Sequence, residues 1–426
     1  MLNVIIEFTL IQQNTTLYIY KTYRTKGAIK VKFFHTADWH LGKLVQGVYM
    51  TEDQREILKQ FIEAIKEEKP DAVVIAGDLY DRAVPPTEAV NLLDEVLETI
   101  VLKLNTPVLA VAGNHDSPGR LNFGSKIMKS NGCHIVGHLS NDFEPIVLHD
   151  EHGEVHFHLI PYSDPSMVRH LLQDDEIRSH NDAAEKIIEK IKVKMDPNCR
   201  HVFVGHAFVT PNGEEKENTS DSERPLSIGG TEHINAGHFQ PFHYTALGHL
   251  HQAHYVANEN IRYAGSPLKY SISEENHKKG YKIVEIDGTG KVSVEKRLLK
   301  ATRDMRTIEA KMEDLLKHDK SEDYVFVRLL DETPVLSPME QIRSVYPNAM
   351  HVERKIHIPS VNSEGVNTKE RHNMDDLSLF KAFYREVKGS DVSVETEAIF
   401  KDVLDEILKD ENETKRENRI ERTVTV

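Results

Sequence analysis

The apolar run Pro107-Val108-Leu109-Ala110-Val111-Ala112 ends in Gly113-Asn114-His115-Asp116. A Val-rich run of this length reads as a buried strand. In α/β proteins ligands bind beyond the carboxyl ends of such strands. Here the strand delivers an amide, an imidazole and a carboxylate in consecutive positions. Gly, Asn and Asp are also ordinary turn formers, so the tetrapeptide alone reads equally well as a polar turn. Four other apolar runs end in related chemistry: Asp38-Trp39-His40, Gly77-Asp78, Gly205-His206 and Gly248-His249-Leu250-His251. This recurrence constrains the fold, because it requires strand ends far apart in sequence to meet.

Between these runs the pattern is helical. Ile57, Leu58, Phe61, Ile62 and Ile65 share one face of residues 53–69, and a further helix is expected around 86–104, after Pro85-Pro86. The order β-α-β-α-β implies a largely parallel sheet covered by helices. Strands are expected near 133–137 and 144–160, a helix around Ile187, Ile188 and Ile191, and a polar loop over 210–225. Residues 280–294 read as a hairpin turning at Asp287-Gly288-Thr289-Gly290. The fold class expected is α/β, with a domain over 31–300. A composition shift near 300 opens a smaller α/β domain over 301–358, read as helix 307–317, strand 323–330, helix 337–346 and strand 349–357. Residues 359–375 read as a linker. Residues 376–426 read as C-terminal helices and a charged tail, with Phe400, Val403, Leu404, Ile407 and Leu408 forming one apolar stripe. That stripe fits a partner helix pair as well as the chain's own helix at 377–387.

Residues 1–30 are read as a non-native leader or a disordered extension. They lack a signal-peptide layout, and Lys26-Gly27-Ala28 back-translates to a purine-rich ribosome-binding sequence shortly before Val31, which would then be the native start.

Composition removes several classes. With 53 basic against 68 acidic residues the net charge is −15, which argues against sequence-blind nucleic-acid binding by charge alone. Bound metal cations would reverse that sign locally. The two cysteines, Cys133 and Cys199, form no disulfide framework and suit a reducing cytosol. No run approaches the about 20 apolar residues of a membrane span.

The strand-end residues Asp38, His40, Asp78, Asn114, His206, His249 and His251 mix oxygen and imidazole donors, which suits Mn²⁺, Fe²⁺ or Zn²⁺ rather than Ca²⁺. Seven such groups exceed the need of one ion and fit two ions sharing a carboxylate, with Asp78 as the bridge. Two adjacent cations clamp a phosphoryl group, activate water and stabilise the leaving oxygen. His115 is expected to act on the leaving oxygen as a catalytic residue, with Asp116 behind it fixing its tautomer. Lys43, Arg120 and Lys269 lie near the motifs and are candidate DNA-phosphate contacts. His156-Phe157-His158 repeats the spacing of His249 and His251, but no Gly precedes it, and it reads as a surface strand face. Trp39 and His35 read as packing residues.

In this order the motifs resemble the calcineurin-like metallophosphoesterase superfamily. His35-Thr36-Ala37-Asp38-Trp39-His40-Leu41-Gly42, Gly113-Asn114-His115-Asp116-Ser117-Pro118, Ala246-Leu247-Gly248-His249-Leu250-His251 and Tyr263-Ala264-Gly265-Ser266-Pro267-Leu268 are similar to blocks of the bacterial SbcD family of DNA-repair nucleases. The resemblance implies a four-layer αββα sandwich with a capping domain and C-terminal helices. It implies two Mn²⁺ (or Mg²⁺), one held by Asp38, His40, Asp78 and His251, the other by Asp78, Asn114, His206 and His249. It further implies an SbcC-type coiled-coil ATPase partner, DNA as substrate, a nuclease homodimer within a heterotetramer, and a cytoplasmic location. The activity expected is 3′→5′ double-strand exonuclease and single-strand endonuclease action, processing ends and hairpins in repair, replication and recombination. The alternatives are another phosphoesterase acting on small diesters or phosphoproteins, and a non-catalytic scaffold.

Overall fold

The structure is a computed structural model that describes residues 4–13, 16–25, 30–212, 220, 221, 223, 232–354, 375–388 and 390–404. The chain divides into two compact units. The larger comprises Met1–Glu309, Glu313–Val327 and Ser337–Val352; the smaller comprises Ala310–Met312, Arg328–Leu336 and Glu353–Val426.

In chain order the larger unit carries β1 (Val4–Gln13), β2 (Thr16–Thr25), β3 (Lys30–Thr36), α1 (Thr51–Glu68) and β4 (Ala72–Ile75). Then come α2 (Thr87–Leu97), continued by a π-helical turn over Glu98–Lys103, β5 (Val108–Val111), β6 (Cys133–Val136), β7 (Ile146–Asp150) and β8 (Gly153–Ile160). Next are α3 (His180–Lys194), β9 (Arg200–His206), β10 (Tyr244–Gly248), β11 (Tyr255–Val256), β12 (Asn258–Tyr263), β13 (Gly280–Asp287) and β14 (Val292–Leu298). One sheet has the order β14-β13-β3-β4-β5-β6, the other β1-β2-β7-β8-β9-β10-β12-β11. Strands β3 to β6 run parallel, as do β8, β9, β10 and β12.

Because successive side chains point to opposite faces, each apolar run serves two cores. Phe33, Val74, Leu109 and Val111 of the first sheet meet Phe157, Val202, Val204 and Tyr244 of the second in a shared inner core. The Phe33 ring lies edge-on, 5.1 Å from that of Phe157. On the outer face of the first sheet, Phe34, Val73 and Ile75 pack against Leu58, Phe61 and Ile65 of α1 and Leu92 and Val96 of α2. On the outer face of the second, Phe203, Leu247 and Ile261 pack against Ile187, Ile188 and Ile191 of α3. The result is helix, sheet, sheet, helix. Each fully buried side chain of this size contributes roughly 1.5–3 kcal/mol. Trp39 is 1% exposed, with Nε1 donating to Thr36 Oγ1 at 2.9 Å, so it packs rather than stacks on a base. His35 spans the sheets, its ring nitrogens 2.9 Å from Tyr244 Oη and 3.2 Å from the Leu247 carbonyl.

Beyond residue 300 one expectation is corrected. Residues 307–317 do not form a helix: Met305–Ala310 is a strand (β15), and Met312–Leu315 a single helical turn. The β-branched pair Thr307-Ile308 favours the extended form, and Met305 is buried with Tyr324 and Met350. Strands β16 (Tyr324–Leu329) and β17 (His351–Arg354) follow, on either side of a short helix, Pro338–Arg343. In the smaller unit, α4 (Asp376–Lys388) pairs with a helix over 394–404, the Phe380 and Phe400 rings stacking at 3.9 Å. Ile407 and Leu408 lie outside the described residues, as does nearly all of 359–375. Among the described residues no helix is long and apolar enough to cross a membrane.

Lys282 on β13 pairs in register with His35 and is 2% exposed, with no carboxylate partner among the described residues. Burial, with Arg262 and Lys296 nearby, pushes its ammonium down to about 7. The unfolded chain keeps a value near 10.4. The folded state therefore binds fewer protons between these values, and this group's contribution to stability rises with pH across that window. Lys282→Met is expected to stabilise the fold by about 2–4 kcal/mol near neutral pH and progressively less toward about pH 10. Denaturant titrations at several pH values check this; a gain independent of pH contradicts it.

Candidate metal centre

The carboxyl ends of β3, β4, β5, β9 and β10 converge at one end of the sandwich. Backbone hydrogen bonds set the loops that leave them: Asp38 N to Gly77 O and His40 N to Asp78 O, both 3.0 Å. Across the sheets, His206 Nδ1 lies 2.9 Å from the Ala76 carbonyl. Asp38, His40, Asp78 and His249 all take left-handed backbone, with φ of 55°, 45°, 51° and 104°. Such residues cost about 1–3 kcal/mol each and persist where the surroundings over-determine them, typically at functional sites. Two motif glycines make room for these residues. A Cβ on Gly77 would lie 2.3 Å from His206 Nδ1, and one on Gly113 would lie 2.1 Å from Asp78 Oδ1.

Two overlapping sets of donor atoms result: Asp38, His40 and His251, and Asp38, Asp78 and His206. Asp78 Oδ2 stands between them, 3.6 Å from His40 Nε2 and 3.4 Å from His206 Nε2. His206 Nδ1 donates to a carbonyl, which points Nε2 toward Asn114 Oδ1, 2.9 Å away. His251 Nδ1 is engaged by Glu274 Oε1 at 3.0 Å, which turns its Nε2 toward His40 Nε2, also at 3.0 Å. Asp38 Oδ2 and Asn114 Nδ2 are buried without a hydrogen-bond partner. Ligand atoms crowded in this way in a buried pocket are held together by shared protons, which a bound cation would displace.

The titration behaviour of the site agrees. Burial, reinforced by Asp78, holds the Asp38 carboxyl well above its ordinary range although His206 opposes it. Burial keeps the His40 and His249 rings neutral, with lone pairs available. Burial would lower His206 too, but the Asp78 carboxylate outweighs it and lifts that ring to about 9. The residues therefore fit divalent cations.

Of the expected ligands, Asp38, His40, Asp78, Asn114, His206 and His251 come together. His249 joins them differently: its amide donates to Asp38 Oδ1 at 2.9 Å and its ring lies 5.4 Å from that of His206. His115 enters the same pocket, its ring 4.6 Å from that of His40. Asp116 does not stand behind it. The Asp116 carboxylate instead accepts from the amides of Gly113, Leu79 and Tyr80 at 2.9, 3.1 and 2.9 Å, clamping one strand-end loop to another. The Asp81 carbonyl, 2.8 Å from His115 Nδ1, takes the place expected for Asp116. Among the candidate DNA contacts, Lys43 is paired with Asp81 at 2.8 Å and Lys269 with Asp304 at 2.7 Å, while Arg120 is exposed.

Sequence reasoning missed the support behind the ligands. Glu274, fully buried, joins His251 to Lys279, whose Nζ also donates to Ser266 Oγ at 2.7 Å. Gln54 on α1 donates to the carbonyls of His40 and Trp39 at 2.7 and 3.1 Å and accepts from Gly42 N. Neither residue follows an apolar strand or carries a local motif, and Gln54 sits in the polar first turns of α1, beside the buried Thr51 and Asp53.

This fold and this site define a metal-dependent hydrolase. A family profile described as calcineurin-like phosphoesterase matches residues 31–253, and one described as type 5 capsule protein repressor C-terminal domain matches 301–388. The SbcD component of the nuclease SbcCD from Staphylococcus epidermidis is 35% identical over 367 residues, covering 85% of this chain and 95% of its own length. Similar solved structures include GAP50, the anchor in the inner membrane complex of Plasmodium, at 12% identity and TM-score 0.36, covering 76% of this chain and 97% of that one. A dimetal phosphatase from Danio rerio aligns at 11% identity and TM-score 0.34, covering 62% and 98%. The chain belongs to the calcineurin-like phosphoesterases, and within them to the SbcD family.

Glu274→Gln keeps an acceptor for His251 but removes the charge that makes that imidazole a better donor. It is expected to weaken metal binding by about 10–100-fold, read as a rightward shift in the metal dependence of hydrolysis. Asp116→Ala leaves three buried amides without acceptors and is expected to cost about 3 kcal/mol or more, measured by denaturant unfolding; a loss below about 1 kcal/mol contradicts the clamp.

Proposed function

We propose that this chain is the nuclease component of an SbcCD-type complex, hydrolysing DNA phosphodiester bonds with two Mn²⁺. The observation that carries the reading is the convergence of Asp38, His40, Asp78, Asn114, His206 and His251 in one buried pocket, with His115 beside them. Similarity to an SbcD protein along nearly its whole length supports DNA as substrate over small diesters or phosphoproteins. The intact donor set argues against a scaffold.

Asp38, His40, Asp78 and His251 would hold one cation, and Asp78, Asn114, His206 and His249 the other. Such a pair supplies Lewis acidity to the phosphoryl group and to the attacking water. The chain's own residues do the rest. The Asp81 carbonyl accepts from His115 Nδ1–H, so the doubly protonated ring would present its second N–H, at Nε2, to the departing oxygen and return to the neutral imidazole as the phosphorus–oxygen bond breaks. Gln54 and Glu274 hold the ligand loops so that little reorganisation accompanies the reaction. The domain plan is a nuclease domain over 31–300, a capping domain over 301–358 and C-terminal helices from 376, acting as a nuclease homodimer within a cytoplasmic heterotetramer.

The C-terminal helices supply the partner surface. Phe383, Leu379 and Val403 remain 62, 42 and 49% exposed beside the Phe380–Phe400 stack. A cavity of about 650 Å³ opens there, lined in part by Phe383, Phe400 and Leu404. This fits the helix-in-groove mode expected for a coiled-coil ATPase.

Purified chain with Mn²⁺ is expected to degrade linear duplex DNA from its 3′ ends, faster with the ATPase present. His115→Gln should lose about 10²–10⁴-fold in rate while retaining metal. Undiminished degradation by the variant removes His115 from catalysis, and cleavage of small diesters alone favours a different phosphoesterase. A chain ending near Asn373 should hydrolyse DNA alone but fail to bind the ATPase. Charge reversal at Lys43, Arg120 and Lys269 should lower DNA affinity and its salt slope.

A further inference from the structure

A second group of metal-ligating side chains lies on the outer face of the larger sheet, at the opposite end of its strands from the metal centre. Strand alternation puts it there. Leu148, Val155, Phe157 and Val202 point into the inner core, so Glu154 and His156 on β8 and His149 on β7 point outward. His149 sits directly opposite Glu154 in the antiparallel ladder. Cys199 immediately precedes β9, whose Arg200 pairs with Val155, and this brings the thiol beside Glu154.

The atoms converge on one carboxylate. Glu154 Oε2 lies 2.6 Å from His156 Nε2 and 3.8 Å from Cys199 Sγ. Glu154 Oε1 lies 4.0 Å from His149 Nε2, which is buried and makes no hydrogen bond. The Glu154, His156 and Cys199 donor atoms all lie within 4.8 Å of one another. We propose that His149, Glu154, His156 and Cys199 form a zinc site that staples the β7–β8 hairpin to the chain entering β9.

The chemistry selects the ion. Zinc takes four ligands from imidazole, thiolate and carboxylate, at bond lengths that put neighbouring donors roughly 3.3–3.8 Å apart in a tetrahedron. Two of the three separations are already near that range. The third is a hydrogen bond that opens by a small movement of Glu154, whose side chain is 43% exposed. One thiolate and one carboxylate balance the two charges of the ion, and the thiol proton leaves to water on binding. Burial, Glu154 and Asp196 all push the Cys199 thiol up, so zinc must displace that proton and is held more tightly as pH rises. The catalytic centre offers no sulfur, whereas this site does. Ligand softness therefore directs zinc here and leaves the harder ion to the nitrogen and oxygen site.

Cobalt(II) substituted for zinc tests the proposal on the full chain, because only a sulfur ligand produces thiolate-to-cobalt charge-transfer absorption in the near ultraviolet. The expected result is a band that saturates at one cobalt per chain and is displaced by Zn²⁺. It should be retained in Cys133→Ser and lost in Cys199→Ser. After dialysis Cys199→Ser should carry one zinc fewer than the parent, with an unchanged thermal melt in chelator. His156→Ala, a second variant, should weaken cobalt binding at this band at least tenfold. Absence of the band in the parent chain, or its persistence in Cys199→Ser, overturns the proposal.

Discussion

Two carboxylates, Asp38 and Asp78, are buried where the two sheets meet, and the rest of the site is arranged around that electrostatic demand. Burying even one unpaired carboxylate is prohibitive. Here two lie within one pocket, ringed by imidazoles that burial keeps neutral, His206 excepted. Within the chain the His206 ring, lifted by Asp78, and the upward shift of the Asp38 carboxyl ease that demand with protons, and divalent cations are the group that would replace those protons on the donors present. This also reconciles the acidic protein with a polyanionic substrate, because the positive field is local and carried by bound ions.

The scaffold that meets this demand is costly in a particular way. Four residues of the centre sit in left-handed backbone, and Gly77 and Gly113 are present because any side chain there would collide with His206 or Asp78. Strain of this kind is tolerated only if the neighbouring parts cannot relax. The αββα layering provides that rigidity: the inner core locks the strand registers, Asp116 ties three amides of two loops, and Gln54 reaches from α1 to hold the loop around His40. The supporting residues act through backbone: they fix the loops that carry the candidate ligands.

The same sheet serves two chemical environments. One end of β9 presents His206 to a pocket of oxygen and nitrogen donors; beside the other end lies a thiol among imidazoles and a carboxylate. Parallel strands make this possible, since their two ends face separate loop layers. In the smaller unit the logic differs again. Its helix pair stacks Phe380 on Phe400 but leaves Phe383 and Val403 exposed.

By itself the sequence determined the parallel β-α order, the strand-end positions of the proposed metal ligands and the place of His115, because apolar runs and the residues ending them are local in the chain. It also placed the hairpin at 280–294 and the apolar stripe of α1. It did not reveal that Asp116 clamps backbone while Asp81 orients His115, since that choice depends on where two loops lie relative to each other. Nor did it reveal Glu274 behind His251, or β15 in place of a helix, where pairing with a distant strand outweighed a weak helical pattern. His156 read as part of a surface strand face until strand register set it and His149 beside Glu154 and Cys199. Patterning records what each segment buries; which groups become neighbours across segments is decided only when the sheets form and close on each other.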